Sequence, residues 1–314
     1  MQHGSILCVF EAGIPVSGQL YRFGQYVQRM LDRRPPDLGG MCANEFRGAA
    51  GGGPAPSELS RSLAPIVSAV QLLALDLGSL RRLRDSWKFA VLAPVSLDRD
   101  LASPAGERSR SVEALQDLQD SLRSCASVVV FDAAHMRTLT ALGSPRISLA
   151  SFPALMPTQN LPITIDVLLI PHGPKGGAGA EQALVFKQAL RKALPNLAIR
   201  EHQADTEAAL QARVHVHIGD SSIVAPSLRV IDSHAMKRPV VRLSADPTQN
   251  GACSGMCVVP MRTGLAADSA GTAVAALQWL LSHPVFMEAL CSNGTQAVEE
   301  FNRLAEVQLR EALA

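Results

Sequence analysis

Along the first half of the chain, apolar runs of strand length alternate with stretches of helical spacing. Residues 5–10, 69–77, 89–94, 127–131 and 147–150 read as strands, and Leu20, Phe23, Val27 and Leu31 recur at helical spacing within 19–32. Residues 78–87 and 111–122 have the same helical character, as does the segment that Asp132 opens and that runs to Leu142. This alternation predicts βα units and a parallel sheet. Residues 152–162, FPALMPTQNLP, break the pattern with three prolines and read as the joint between two halves. The second half resumes with strands at 164–171 and 197–201 and helices at 180–194 and 205–212. Val214, Val216 and Ile218 then alternate with His215 and His217, a period of two that places both histidines on one strand face, and Gly219-Asp220 ends the run. Half-buried structural histidines are the expectation there. Pro226-Ser227 opens a helix over 228–236 that stops before Pro239, because a residue preceding proline avoids the helical region. Val240-Val241 is the next strand. A short strand at 257–260, a helix at 266–281 and a long amphipathic helix at 284–313, broken near Asn293-Gly294, complete the pattern.

Length and composition narrow the picture. A chain of 314 residues is comfortable as two domains. It is 47% hydrophobic but its apolar stretches are too short to span a bilayer, so a soluble globular protein is expected. A net charge of +1 argues for no nucleic-acid partner. The six cysteines, at 8, 42, 125, 253, 257 and 291, are scattered, which suits reduced thiols. The start of the chain has no basic segment followed by a long apolar run, and a cytoplasmic location is the expectation. Residues 34–56 are rich in proline and glycine and read as a surface loop, either a lid or a tolerated insertion.

Three loops have the composition of binding sites. Gly13 and Gly18 follow the first strand and suit a phosphate or sugar, although they lack the dinucleotide spacing, and Arg22 stands just inside the following helix, where it meets an anion or solvent. Residues 172–179, HGPKGGAG, join a strand to a helix amino terminus with Lys175 as a nearby cation, which is an anion site in outline or an ordinary connection. Residues 219–222 leave the carboxyl end of a strand, where ligands of parallel sheets bind. Asp98 and Asp100 flank Arg99 and read as a turn rather than a metal site, and a lone C-x3-C at Cys253 and Cys257 is no zinc framework. No metal is expected. Arg81, Arg82, Arg84, Trp87 and Lys88 form a basic cluster that suits a solvated face or peripheral contact with anionic lipid.

The second half resembles retaining glycosyltransferases of family 4. Asp232 to Val241, DSHAMKRPVV, is similar to their donor-binding segment, laid in register by the Pro-Val-Val end, with Asp232 at the second acidic position and Val224 at the first. Lys175-Gly176 matches their lysine-glycine, with His172 near the position of their diphosphate-binding arginine. Residues 125–136 resemble an element of their amino-terminal domain, but no histidine stands in the loop at 93–96 where theirs often lies. The stretch from Ala266 onward is similar to their closing helices.

The resemblance implies an α/β chain of the GT-B kind: two Rossmann-like domains and a long carboxyl-terminal helical tail. The first would cover residues 1–155, on the acceptor side and with the glycine-rich loop near 34–57; the second 162–285, on the donor side; the tail 286–314 would return toward the first. It implies a nucleotide-sugar as substrate, no separate cofactor, and a glycan, lipid or protein acceptor. Lys175, Gly173 and Gly176 would hold the diphosphate, Asp232 the ribose, and Ser227 and Gly219 the rest of the donor, with Gly13, Gly18 and Arg22 bordering sugar and acceptor. No catalytic residue follows. Val224 and the missing histidine keep a second reading open, that of a binding or scaffold subunit in a glycan-assembly or protein-modification complex. A sugar-nucleotide epimerase is the third, without its expected histidine and glutamate clusters.

Overall fold

The computed structural model describes residues 5–9, 26, 70–74, 89–92, 116, 119–123, 125, 127–144, 146–155, 161–172, 178–202, 206–219, 228–244, 255 and 257–313. Two compact units emerge, one of residues 1–150 with 306–314, the other of residues 151–305. Each contains a five-stranded sheet, and every strand pairing in both is parallel.

In the first unit the strands β1 (Ser5–Val9), β2 (Val70–Ala74), β3 (Phe89–Val91), β4 (Ser127–Val130) and β5 (Ile147–Leu149) lie side by side in chain order. All four residues of β4 are buried, as expected of a parallel strand covered on both faces. Helix α1 (Ala133–Ala141) follows β4. Ser127 Oγ donates to the Ala312 carbonyl at 3.0 Å, tying β4 to the last turn of the long terminal helix. The predicted loops at 13–18 and 34–56 and the basic cluster at 81–88 lie outside the described residues.

In the second unit the sheet order is β10-β9-β8-β6-β7, built from β6 (Ile165–Pro171), β7 (Ile199–Glu201), β8 (Ala212–Ile218), β9 (Val240–Leu243) and β10 (Leu265–Ala267). Helices cover both faces. Val167 and Leu169 of β6, Val214, Val216 and Ile218 of β8, and Val241 and Leu243 of β9 pack against α2 (Ala178–Ala193) and α5 (Ala270–Ser282) through Ala183, Phe186, Leu190, Val274 and Leu277. The alternate residues Ile165, Leu168 and Ile170 meet Ala208, Ala209 and Leu210 of α3 (Thr206–Gln211) on the other face. On that same side, Val230 of α4 (Val230–Ala235) packs on Val240. Burial of apolar surface at about 25 cal/mol per Å² drives this layering.

Three expectations are corrected. The last strand is Leu265–Ala267, not 257–260: Leu265 and Ala267 are buried in parallel register with Val241 and Leu243, while Met261 enters a turn at φ 61°. The alanines that suggested helix there yield to pairing with β9, and the helix starts only after Ser269, whose hydroxyl caps Thr272 N–H. The terminal helix α6 (Pro284–Leu313) runs unbroken through Asn293-Gly294. Gly294 stands where a Cβ would come within 2.8 Å of His234 Nδ1, so this glycine permits close packing instead of a break. Finally, His215 and His217 are fully buried, not half-buried, because α3 and α4 cover their face.

Among the described residues no single helix is long and apolar enough to cross a membrane; α5 and α6 pass that test of length and composition only as a pair bent by 103°.

Candidate functional site

Strand order singles out one edge of the second sheet. From β6 the chain crosses to β7 on one side, then passes back over β6 to β8 on the other, so the winding reverses between β6 and β8. The loops leaving neighbouring strands at such a point diverge and open a crevice outside their carboxyl ends. His172 follows β6 there, and Gly219 follows β8.

Three backbone segments meet at this edge. A Cβ on Gly179, in the first turn of α2, would fall on the His172 carbonyl oxygen. Gly219 has φ 87°, and its own Cβ would stand 3.0 Å from the Gly179 Cα. The sequence therefore needs glycine at both positions, one for proximity and one for proximity and a left-handed backbone. The effect is to bring the amino terminus of a 16-residue helix against the ends of both strands, where its unpaired N–H groups favour negative charge.

Below the edge lies a buried polar chain. The His172 and His217 rings lie edge to edge, 10° from parallel, with His172 Nε2 2.9 Å from His217 Nδ1. His217 Nε2 is 2.8 Å from Ser233 Oγ, Ser233 Oγ is 2.7 Å from His215 Nδ1, and His215 Nε2 is 2.9 Å from the Ala209 carbonyl. Burial pulls the pKa of His172 and of His215 down to about 3 and that of His217 well below the ordinary value of 6.5; Arg242 adds repulsion at His172 and His217. All three rings are therefore neutral near pH 7.

Neutrality fixes every proton. The Ala209 carbonyl only accepts, so His215 Nε2–H donates to it and His215 Nδ1 is a bare acceptor. Ser233 O–H has two acceptors in reach, His215 Nδ1 at 2.7 Å and the Arg229 carbonyl at 3.4 Å, and donates to the nearer; its oxygen accepts from His217 Nε2–H, and His217 Nδ1 accepts from His172 Nε2–H. What remains is His172 Nδ1, a lone pair without a hydrogen-bond partner among the described residues, on a residue 2% exposed.

His172, near the position of the family's diphosphate-binding arginine, is held neutral by burial and adds no positive charge at this edge. Asp232, expected at the ribose, holds the amino terminus of α4. Its Oδ2 accepts from Arg229 N–H at 3.0 Å and Nε at 2.8 Å, and its Oδ1 accepts from Arg229 Nη2 at 2.6 Å. The 1%-exposed Arg229 also donates to the carbonyls of Phe152 and Pro153, so the proline-rich segment is stapled to this unit. Gly219 lies at the edge itself, whereas Gly13, Gly18, Arg22, Gly173, Lys175, Gly176 and Ser227 fall outside the described residues. Among the described residues no group of three or more histidine, cysteine, aspartate or glutamate side chains is arranged for a metal. Sequence reasoning missed the polar chain. The period-two histidines were its visible trace, but the partners His172 and Ser233 lie 45 and 16 residues from His217.

No protein-family model and no curated protein sequence matches the chain. Solved structures do. HepE of Anabaena in complex with UDP and glucose is similar at a TM-score of 0.52 and 13% identity, over 99% of each chain. The same protein in complex with UDP-glucose gives 0.51 and 12% over 98% of each. TarM follows at 0.45 and 11%, over 82% of this chain and 57% of that one. The fold resembles that of the GT-B glycosyltransferases. Its closest described counterpart to a binding crevice is the β6/β8 edge.

Proposed function

We propose that the chain is a glycosyltransferase of two Rossmann-like domains that binds a nucleotide-sugar at the carboxyl ends of β6 and β8 and passes the sugar to a glycan, lipid or protein acceptor. The observation that carries this is the winding reversal between β6 and β8, with the amino terminus of α2 drawn against it by Gly179 and Gly219. That arrangement favours the diphosphate of a nucleotide-sugar, whose charge the helix end and the cation of Lys175 would offset as the leaving group departs. Gly173 and Gly176 give this loop the small side chains that close approach of a phosphate needs. Gly219 and Ser227 would border the donor, and Gly13, Gly18 and Arg22 the sugar and acceptor. The fold likeness to HepE, solved with UDP-glucose, supports the choice of donor class. The nucleotide-sugar is the substrate, and the reading calls for no cofactor, no metal and no nucleic acid.

A second reading, a binding or scaffold subunit, is favoured by one observation. The carboxylate assigned to the ribose is engaged by Arg229 through three hydrogen bonds, and Val224 occupies the other acidic position. Calorimetry with UDP-, GDP- and TDP-sugars separates the two when paired with a transfer assay. Saturable binding of one donor, weakened by Lys175→Ala and accompanied by sugar transfer, supports the transferase. Binding without hydrolysis or transfer for any acceptor class supports the subunit, and no heat from any donor removes the transferase reading.

A further inference from the structure

The direction of the buried hydrogen-bond chain has a chemical consequence at its unpaired end, His172 Nδ1. A ring nitrogen that can only accept is a poor neighbour for a phosphate oxygen, since both carry lone pairs, and a good one for an N–H or O–H group. His172 occupies the first position after β6, at the point where the sheet winding reverses and the chain leads into α2. Its Nδ1 has no hydrogen-bond partner among the described residues, although a buried acceptor left unsatisfied is destabilising. Its other nitrogen is held by His217, which Ser233 and His215 lock in turn.

We propose that His172 Nδ1 accepts a hydrogen bond from an uncharged N–H or O–H donor of the bound nucleotide, either the imide of the base or the ribose 2′-hydroxyl, and so helps to select the nucleoside rather than the diphosphate. This rests on the nucleotide-sugar reading above. His217, Ser233 and His215 are positioning residues: they keep the His172 proton on Nε2 and leave Nδ1 as acceptor. The division of labour is chemical. Positive charge for the diphosphate comes from Lys175 and the helix end, and recognition of an uncharged donor comes from a neutral imidazole. An arginine in place of His172 offers five donors and no acceptor, and so performs the opposite task.

The test uses the full chain at pH 7. Nitrogen-detected NMR of the histidine rings should show His172 as the neutral Nε2–H tautomer, with its Nδ1 resonance moving on saturation with UDP. UDP, N3-methyl-UDP and 2′-deoxy-UDP then separate the sources of the donor. The imide predicts that the methylated compound binds about tenfold or more weakly, and the hydroxyl predicts the same loss for the deoxy compound. His172→Phe, which removes the acceptor, should abolish whichever discrimination the natural chain shows. An Nδ1–H tautomer, an Nδ1 resonance unmoved by bound UDP, or equal affinity for all three compounds overturns the assignment while leaving nucleotide binding intact. Absence of binding by UDP, GDP and TDP alike overturns both this inference and the donor reading beneath it. The NMR measurement needs no substitution and stands if His172→Phe fails to fold.

Discussion

His217 Nε2 and Ser233 Oγ, 2.8 Å apart, join the middle of the second sheet to the helix laid across it. Ser233 also meets His215 Nδ1 at 2.7 Å, so one hydroxyl is both acceptor for one imidazole and donor to another. Replacing it removes two hydrogen bonds at once and strands two buried ring nitrogens. Ser233→Ala should therefore cost about 2–6 kcal/mol, at about 1–3 kcal/mol for each unsatisfied group. Urea unfolding checks this; a loss below about 0.5 kcal/mol means that the hydroxyl carries no such load.

Acid should unfold the second unit well before its carboxylates protonate. His172 and His215 have folded values near 3 and His234 near 4, and His217 lies well below its ordinary 6.5. Between those values and 6.5 the unfolded chain binds protons that the folded chain refuses. The stability these residues contribute is thus fully present above pH 6.5 and is lost as pH falls through 6.5 toward 3 or 4. Each histidine contributes a slope of about 1.4 kcal/mol per pH unit in that window. Urea midpoints measured from pH 8 to pH 5 should hold steady at first and then fall steeply; a flat profile down to pH 5 contradicts the burial of neutral rings.

Gly179→Ala is a substitution whose local and tertiary effects oppose one another. Inside a helix, alanine ordinarily stabilises by about 0.5–1 kcal/mol relative to glycine. Here the added methyl meets the His172 carbonyl, which is backbone and cannot rotate away. Overpacking of this kind costs about 1–3 kcal/mol, so the net change should be destabilising. A thermal melt that rises on substitution shows that α2 can step back from the strand ends.

Arg229→Met should be more damaging than its place at the start of a short helix suggests. The side chain loses an ion pair to Asp232 at 2.6 Å, two backbone carbonyls, and ring contacts with Phe152 and Phe301 at 5.1 and 5.9 Å. Breaking a fully buried pair from one side costs about 3–5 kcal/mol, and the 14% exposure of the Asp232 side chain left behind puts this change toward or below the lower end. Adding Asp232→Asn should recover part of that loss. A double-mutant cycle measures the recovery, and strict additivity of the two changes contradicts a coupled pair.

Much of the second unit was legible from patterning. The period-two run Val214 to Ile218, the apolar strand at 165–171 and the helix stop before Pro239 are local signals, and the strands and helices fall close to them. The strand at 265–267 was not legible, because Leu-Ala-Ala has helical propensity and becomes a strand only through its pairing with Val241–Leu243. The glycine signals were ambiguous in the same way. Gly294 looks like a helix break when only its neighbours are considered, and His234, 60 residues earlier, is what gives it another meaning.

The sequence by itself determined that strands and helices alternate and that His215 and His217 share one face, because hydrophobic periodicity and proline geometry act over a few residues. Tertiary structure decided what those residues do. Only the closure of β6 beside β8 brings His172 onto His217, and only the laying of α4 across the sheet brings Ser233 between two imidazoles. Burial then removes the charge from the rings and, by forcing each proton to a definite nitrogen, turns four scattered polar residues into a directed chain whose last acceptor is unpaired among the described residues.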